Sequence, residues 1–350
     1  MIQVKWILYL VFLIGSITTN GRSQVTRASY VMGTMIEIQV TGASDTISQE
    51  AIDKSFRELR RLDAIMSRHL ADSPLNKING LAGQTWIKVD QDLYNVIKAS
   101  IHYSQMTDGA FDITIAPLID LWKASKSTNH VPKQVNINKV LKSVHYNCIK
   151  IHPKLPMISL AHRGVAIDLG AIGKGYAISK ILTILKNYSF KSIKINFGGQ
   201  IYLAGSSKDS DSWKVGIRDP LSRNHVLMWV HARNKSVSTS GGYERYVTIG
   251  GKRYSHILNP KTGYPVSHIL SATVISKDPI MADALSTAIS VMPIKDSISL
   301  IHRLKDVEAV LVTQDKTGKK PFTIHLSNGL KGQITADKSI TQRGQVSGRN

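Results

Sequence analysis

The chain has 350 residues, 42% of them hydrophobic, and 45 Lys and Arg against 24 Asp and Glu, a formal net charge of +21. That apolar content supports one large domain or two closely packed halves and excludes an intrinsically disordered protein. With a single cysteine, Cys148, the chain can form neither an intrachain disulfide nor a thiolate metal cluster.

At the N-terminus Lys5 precedes an almost wholly apolar run from Trp6 to Ile17, and small and polar residues follow as far as Gln24. The run is shorter than the roughly 20 residues a membrane span needs. It reads as a signal peptide over residues 1–23, cleaved near Gly21 or Ser23, with an uncleaved anchor as the alternative. Leu13, Ile14 and Gly15 are followed by Ser16 and not by a cysteine, so no lipid anchor is expected. The expected location is the periplasm or cell envelope, peripheral to the membrane at most.

Residues 35–40 alternate apolar and polar side chains (Ile36, Ile38, Val40) and predict a strand. Residues 48–65 set Ile52, Phe56, Leu59 and Leu62 on one helical face, with Asp45, Thr46 or Ser48 as the cap. Asp90 opens a second helix striped by Leu93, Val96, Ile97 and Ile101. Lys, Ser, Thr, Asn and Pro crowd residues 123–135, which predicts a loop. Residues 165–169 form a short apolar strand before Gly170, Gly173 and Gly175, and a helix follows with Ile178, Ile181, Leu182 and Leu185.

From 191 to 275 the chain is mostly strand (192–197, 201–204, 213–217, 226–231, 245–249), with turns rich in Gly, Pro, Asp and Ser. Helices at 281–291 and 294–304 and strands at 309–312 and 322–326 complete the pattern, and a disordered basic tail is expected over 336–350. The fold class is α+β, largely antiparallel sheets with packed helices, over residues 24–335.

The positive charge does not concentrate on one helix face. Between Asp120 and Asp168 there is no acidic residue, while Lys123, Lys126, Lys133, Lys139, Lys142, Lys150, Lys154 and Arg163 accumulate. Neither an aromatic-interleaved RNA motif nor a helix-turn-helix accompanies them, so no nucleic acid partner is expected. A solvated basic surface facing an anionic envelope fits better.

Four segments carry chemistry. In Asp168-Leu169-Gly170-Ala171-Ile172-Gly173-Lys174-Gly175 a strand ends, glycines admit close approach, and a helix start with Lys174 favours an anion such as a diphosphate. A plain strand-to-helix turn fits the same residues. The segment matches neither the Rossmann fingerprint nor the P-loop. Asp283, Ser286 and Thr287 share one helical face, which in isolation reads first as a helix-start cap and second as a hard-oxygen set suited to Mg²⁺. His256 stands before the turn Asn259-Pro260-Lys261-Thr262-Gly263, either as a base at a cleft or as a structural histidine. Thr107-Asp108-Gly109-Ala110-Phe111-Asp112-Ile113-Thr114 offers a turn with an aromatic ring and two carboxylates, fit for an aromatic ligand or for closing a core.

In their order along the chain these segments resemble the ApbE-type FAD:protein FMN transferase family. The matching motifs are Met32-Gly33-Thr34, Met66-Ser67 with Asp72-Ser73-Pro74-Leu75-Asn76-Lys77-Ile78-Asn79, and Gly109-Ala110-Phe111-Asp112. Asp168 to Gly175, Asn196-Phe197-Gly198-Gly199, His256-Ile257 with Asn259 to Pro265, and Asp283-Ala284-Leu285-Ser286-Thr287-Ala288 follow. The match runs from about Tyr30 to Ile334, nearly the whole chain after residue 23.

The resemblance implies an ApbE-like fold and FAD as substrate, held by Met32, Ala110, Phe111, Asp112, Asp168, Lys174 and Leu258. It implies Mg²⁺ held by the Ala171 carbonyl, Asp283 and Thr287 with Ser286 nearby, and His256 as the group that activates an acceptor hydroxyl, with Asp283 able to share that role. The acceptor it implies is the flavin-carrying domain of an envelope flavoprotein, modified on Ser or Thr. His69 stands where the family often has Tyr or Phe, in reach to stack on the flavin more weakly. Two other activities fit the same site, a Mg²⁺-dependent FAD pyrophosphatase and a non-catalytic FAD-binding envelope protein.

Overall fold

Strand β1 (Gln24–Val31) and strand β2 (Thr34–Thr41) form a tight antiparallel hairpin that starts the fold. The computed structural model describes residues 24–207, 210–242, 246–315, 320–330, 332–336 and 344–347. The expected signal peptide lies outside the described residues. After the hairpin come α1 (Asp45–Met66), α2 (Pro74–Gly80), β3 (Ile87–Lys88), α3 (Gln91–Met106), α4 (Ala116–Thr128) and α5 (Gln134–Leu141). Then follow β4 (Ile149–Ile151), β5 (Met157–Leu160), α6 (Gly173–Leu185), β6 (Ser192–Phe197), β7 (Gln200–Gly205), β8 (Trp213–Asp219) and β9 (Ser222–Ala232). The remainder is β10 (Lys235–Gly241), β11 (Tyr246–Ile249), β12 (Lys252–Ser255), β13 (Ile269–Ser276), α7 (Pro279–Val291) and α8 (Ile294–Arg303). Strands β14 (Glu308–Gln314), β15 (Phe322–Leu326), β16 (Ile334–Ala336) and β17 (Gly344–Ser347) close the chain.

A nine-stranded sheet in the order β1-β2-β6-β7-β10-β13-β14-β15-β17 is the frame. Its pairs are antiparallel except β15 with β17. Alternation along its strands divides two cores. On β14, Ala309 and Leu311 join the cluster beneath α1, α6 and α7, whereas Val310 and Val312 join the cluster against β8 and β9. A strand buried on both faces reads as a continuous apolar run, as the stretch from Ala309 to Val312 does. A third cluster, with Leu118, Trp122, Ile137 and Leu258, lies under α4 and α5.

Asp92 ties three helices together. It sits in the first turn of α3 and binds Tyr176 (2.7 Å) and Lys180 (2.8 Å) of α6 and Arg61 of α1. Burial alone would raise its carboxyl, but Lys180, Tyr176 and Arg61 outweigh burial and hold it below the usual carboxylate range.

Three sequence expectations change. Helix α1 begins earlier, with Ser44 as cap, its Oγ accepting from the Ile47 N–H. Half of the expected loop at 123–135 is helical, because α4 continues to Thr128 with Trp122 and Ser125 buried on its inner face. Its polar composition belongs to the solvated face, and it ends at Asn129 in the left-handed region, φ 55°. The tail expected to be disordered carries β17, paired in parallel with β15. An open sheet edge can be paired through the backbone alone, so polar side chains are no bar.

Residues 165–169 also differ, since they are extended and buried at Val165, Ile167 and Leu169 but form no strand. Their neighbour is a side chain. The Asn79 amide accepts from the Ile167 N–H (2.8 Å) and donates to the Ile167 carbonyl (3.0 Å), as an adjacent strand would.

Candidate active site

The β1–β2 turn is Met32-Gly33, with φ of 49° and 73°. A two-residue hairpin turn of this type needs positive φ at both places. Glycine adopts it freely, whereas methionine does so at a cost that surrounding structure must offset. One such support is the bond from the Met32 N–H to Asp63 Oδ2, 3.1 Å, at the end of α1. Met32 Cε lies 3.3 Å from where a Cβ on Gly173 would stand, so the absent side chain lets Met32 rest on the start of α6. Thr34 meets the other glycine turn, because a Cβ on Gly198 would fall 2.8 Å from Thr34 Oγ1. Motifs far apart in sequence therefore interlock.

The glycine-rich segment then packs on α7. A Cβ on Gly175 would lie 2.4 Å from the Pro279 carbonyl and 2.8 Å from Asp283 Cβ, so the start of α6 and the first turns of α7 are in near contact. Asp283, 3% exposed, joins them. Its Oδ2 accepts from the Gly175 N–H (2.9 Å) and its Oδ1 from Lys174 Nζ (3.2 Å). Ala171, half-buried, stands just before α6, whose N-cap residue Ile172 offers no side-chain hydrogen bond. The Asp283 carboxylate takes a first-turn N–H of this helix, that of Gly175, in keeping with the preference of a helix start for an anion.

Behind Asp283 runs a polar strip. Period two puts Ser236, Ser238 and Ser240 of β10 on one face, with Val237 on the other. Ser286 is fully buried and donates to the Asp283 carbonyl (2.9 Å), with Ser240 Oγ at 2.9 Å and Ser238 Oγ at 3.3 Å. Thr287, only half-buried, has its Oγ1 3.3 Å from Ser240 Oγ. Of the carboxylate and the hydroxyl, Thr287 is thus the more exposed and Asp283 the buried one, while Ser286 braces the helix from within.

Asp168 is held by its own turn. Its N–H donates to the Ile113 carbonyl (2.8 Å), Oδ1 accepts from the Gly170 N–H (2.8 Å), and Oδ2 pairs with Arg68 (3.3 Å). Arg68 also binds Asp120, which clamps the loop after α1, and the exposed His69 beside it, onto this segment. His256 is exposed and directly follows β12. Its neighbour Ser255 packs on Gly242, where a Cβ would come 2.8 Å from Ser255 Oγ. Gly242 lies two residues beyond Ser240, so β10 links the end of β12 to the hydroxyls under α7.

Ala110 lines a cavity of about 330 Å³ together with Asp108, Asn259, Lys261, Met292 and Arg303. Two of the expected ligand residues lie inward. Phe111 is 1% exposed, its ring edge-on to Tyr103 within the core, because the Phe111 N–H is tied back to Thr107 Oγ1 (3.1 Å). Leu258 is 7% exposed and packs in the cluster of Trp122, bridged to Pro265. Asp112 borders a second cavity of about 450 Å³, but its carboxylate is fully engaged. Oδ1 accepts from the Thr114 N–H (2.8 Å) and hydroxyl (2.6 Å), and Oδ2 from the Tyr146 N–H (2.8 Å). Burial pushes the Asp112 carboxyl above its ordinary range despite these bonds.

The sequence does not single out Asp63, Arg68 or Ser240, and it shows Asn79 only as the end of a motif, with no role. Asp63 left a signal of its own, since a carboxylate in the last turn of a helix opposes the helix dipole and invites a compensating role.

Fold and site together define an α+β protein built around a glycine-lined helix start braced by one buried carboxylate. The chain belongs to the ApbE family, whose model matches residues 32–311. It is 28% identical to the FAD:protein FMN transferase of Treponema pallidum, over 87% of this chain and 89% of that one. It is 26% identical to the Escherichia coli protein of the same name, over 88% of each. Among solved structures, the ApbE protein of Thermotoga maritima superposes with a TM-score of 0.78 at 30% identity, over 89% of this chain and 99% of that one. The flavin transferase ApbE of Vibrio cholerae shares the fold at a TM-score of 0.79 and 24% identity, over 89% of this chain and all of that one.

Proposed function

We propose that the chain is an exported, Mg²⁺-dependent FAD:protein FMN transferase that attaches the FMN half of FAD to a Ser or Thr hydroxyl of an envelope flavoprotein and releases AMP. The observation that carries this reading is the Asp283 carboxylate, shared between the glycine-lined start of α6 and the Lys174 ammonium. Membership of the ApbE family and relatives named for this activity support it. Export rests on the sequence of residues 1–23.

The donor set fits Mg²⁺, a hard cation that accepts few carboxylates, keeps waters and leans on substrate phosphates. Asp283, Thr287 and the Ala171 carbonyl would hold it, and Ser286 would fix their geometry through Ser240 and the Asp283 carbonyl. When bound, the ion neutralises charge on the diphosphate. The α6 N-terminus and Lys174 receive the same anion, and Met32 and the 68–69 loop border the flavin half. His256 accepts the proton of the acceptor hydroxyl as its oxygen attacks the phosphorus next to riboflavin. One phosphorus–oxygen bond forms, the bridging bond breaks, and AMP leaves with the electron pair. Intact-mass analysis of a Thr-bearing flavoprotein domain after incubation with the enzyme, FAD and Mg²⁺ tests the reading. Added FMN mass with equimolar AMP supports transfer, whereas free FMN formed equally fast without the domain would replace it by hydrolysis.

A further inference from the structure

We infer that Lys174 is a displaceable counter-ion, seated on the oxygen of Asp283 that a divalent ion would take, so that the diphosphate must draw Lys174 away before the metal binds tightly. The inference rests on the Mg²⁺ reading above. A carboxylate as buried as Asp283 requires compensation for its charge. Its two partners differ in kind. The Gly175 N–H belongs to backbone wedged against the Pro279 carbonyl and Ile280 Cα, with no room for even a Cβ, so it cannot leave Oδ2. Lys174 Nζ sits at the end of a flexible stem, its side chain 25% exposed, and holds Oδ1 at 3.2 Å.

Thr287 lies one helical turn beyond Asp283 on the same side of α7, and with Oδ2 held by the Gly175 N–H, a cation bridging the two residues would take Oδ1. Two cations cannot share that oxygen in so dry a place without strong mutual repulsion. The diphosphate that the α6 start receives attracts the Lys174 ammonium as well. Substrate and metal binding are therefore coupled through one side chain: the anion lifts Lys174 off Asp283, and the freed carboxylate takes the ion. The coupling is reciprocal, so each ligand tightens the other by an equal factor. In the substrate-free enzyme Lys174 keeps Asp283 neutralised and the fold intact.

Calorimetric titration with MgCl₂ alone, in about 0.15 M NaCl to screen distant charges, tests this on wild type, Lys174→Met and Lys180→Met. Lys180 lies on the same helix but pairs with Asp92, so its removal reports the general effect of one lost charge. Without FAD, Lys174→Met is expected to bind Mg²⁺ at least about tenfold more tightly than wild type, and Lys180→Met within about twofold. The Tm of Lys174→Met is expected to be lowered without metal and recovered by Mg²⁺. Should that variant not fold without metal, Lys174→Gln keeps a donor without the charge and is expected to show the same order. Equal or weaker Mg²⁺ binding by the position-174 variants, or an equal gain in Lys180→Met, overturns the inference while leaving the metal site standing. Absence of Mg²⁺ binding in every protein, with FAD present too, would instead remove the magnesium reading itself.

Discussion

Asp112 and Asp283 are both buried carboxylates in family motifs, and they are satisfied in opposite ways. Asp112 accepts from two backbone N–H groups and one hydroxyl, all from its own turn and the neighbouring 146 region. Asp283 accepts from one backbone N–H and one lysine. Donors fixed in the backbone cannot be exchanged, so the first carboxylate is committed to holding a turn. A flexible ammonium can be exchanged for another cation, so the second is available to a ligand. Burial alone does not separate a structural acid from a functional one; the mobility of its partners does.

The largest effect expected from breaking this contrast is at Asp283. Asp283→Ala should abolish AMP release from FAD, with far-UV circular dichroism unchanged, because the apolar core under α7 does not depend on the carboxylate. Normal turnover in that variant would sink the metal assignment. His256→Ala should slow transfer by roughly 10²–10⁴-fold with little change in FAD affinity, as expected when a positioned base is lost. Equal losses in rate and affinity would make His256 a binding group instead.

Asp112→Asn sharpens the other side of the comparison. Its amide nitrogen would face a backbone or hydroxyl donor, leaving a buried mismatch that costs about 1–3 kcal/mol of stability. Urea denaturation should show that loss, while KM for FAD measured well below the transition should change less than about twofold. A large rise in KM with unchanged stability would instead mark Asp112 as a ligand-binding group.

The contrast also shows what was legible in the sequence. The helical spacing of Asp283, Ser286 and Thr287 and the glycines of 170–175 report local geometry, and the structure brings them together. What the sequence could not show were partners chosen across long separations. Asn79 stands in for a missing strand beside Ile167, and Arg68 bridges Asp168 and Asp120. Ser240 meets Thr287 only because β10 runs beneath α7. A motif likewise does not say which of its side chains face inward: Gly109-Ala110-Phe111-Asp112 presents Ala110 to a cavity and turns Phe111 into the core. The polar surface of α4 hid a helix for the related reason that composition records the solvated face as strongly as the buried one.

The smallest expected effects are in pH dependence, where Asp112 and Asp92 should differ in sign. Ion pairs with Lys180 and Arg61 and the Tyr176 bond hold Asp92 low against burial, so the folded state binds the proton more weakly than the unfolded chain, whose value is about 3.9. The stabilisation from Asp92 is then complete above that value and lost as pH falls through the lower folded value. Burial holds Asp112 high, so the folded state keeps its proton longer, and what Asp112 contributes declines as pH rises from about 4 through the raised folded value. Denaturation midpoints of Asp92→Asn and Asp112→Asn against wild type, taken at steps from about pH 3 to 7, separate the two. The Asp92→Asn deficit should be constant near neutrality and close at the acid end, whereas the Asp112→Asn deficit should be widest in acid and narrow toward neutrality. Parallel slopes would mean that the two carboxylates are buried in the same electrostatic sense, and the distinction between a hydrogen-bonded and an ion-paired acid would not survive.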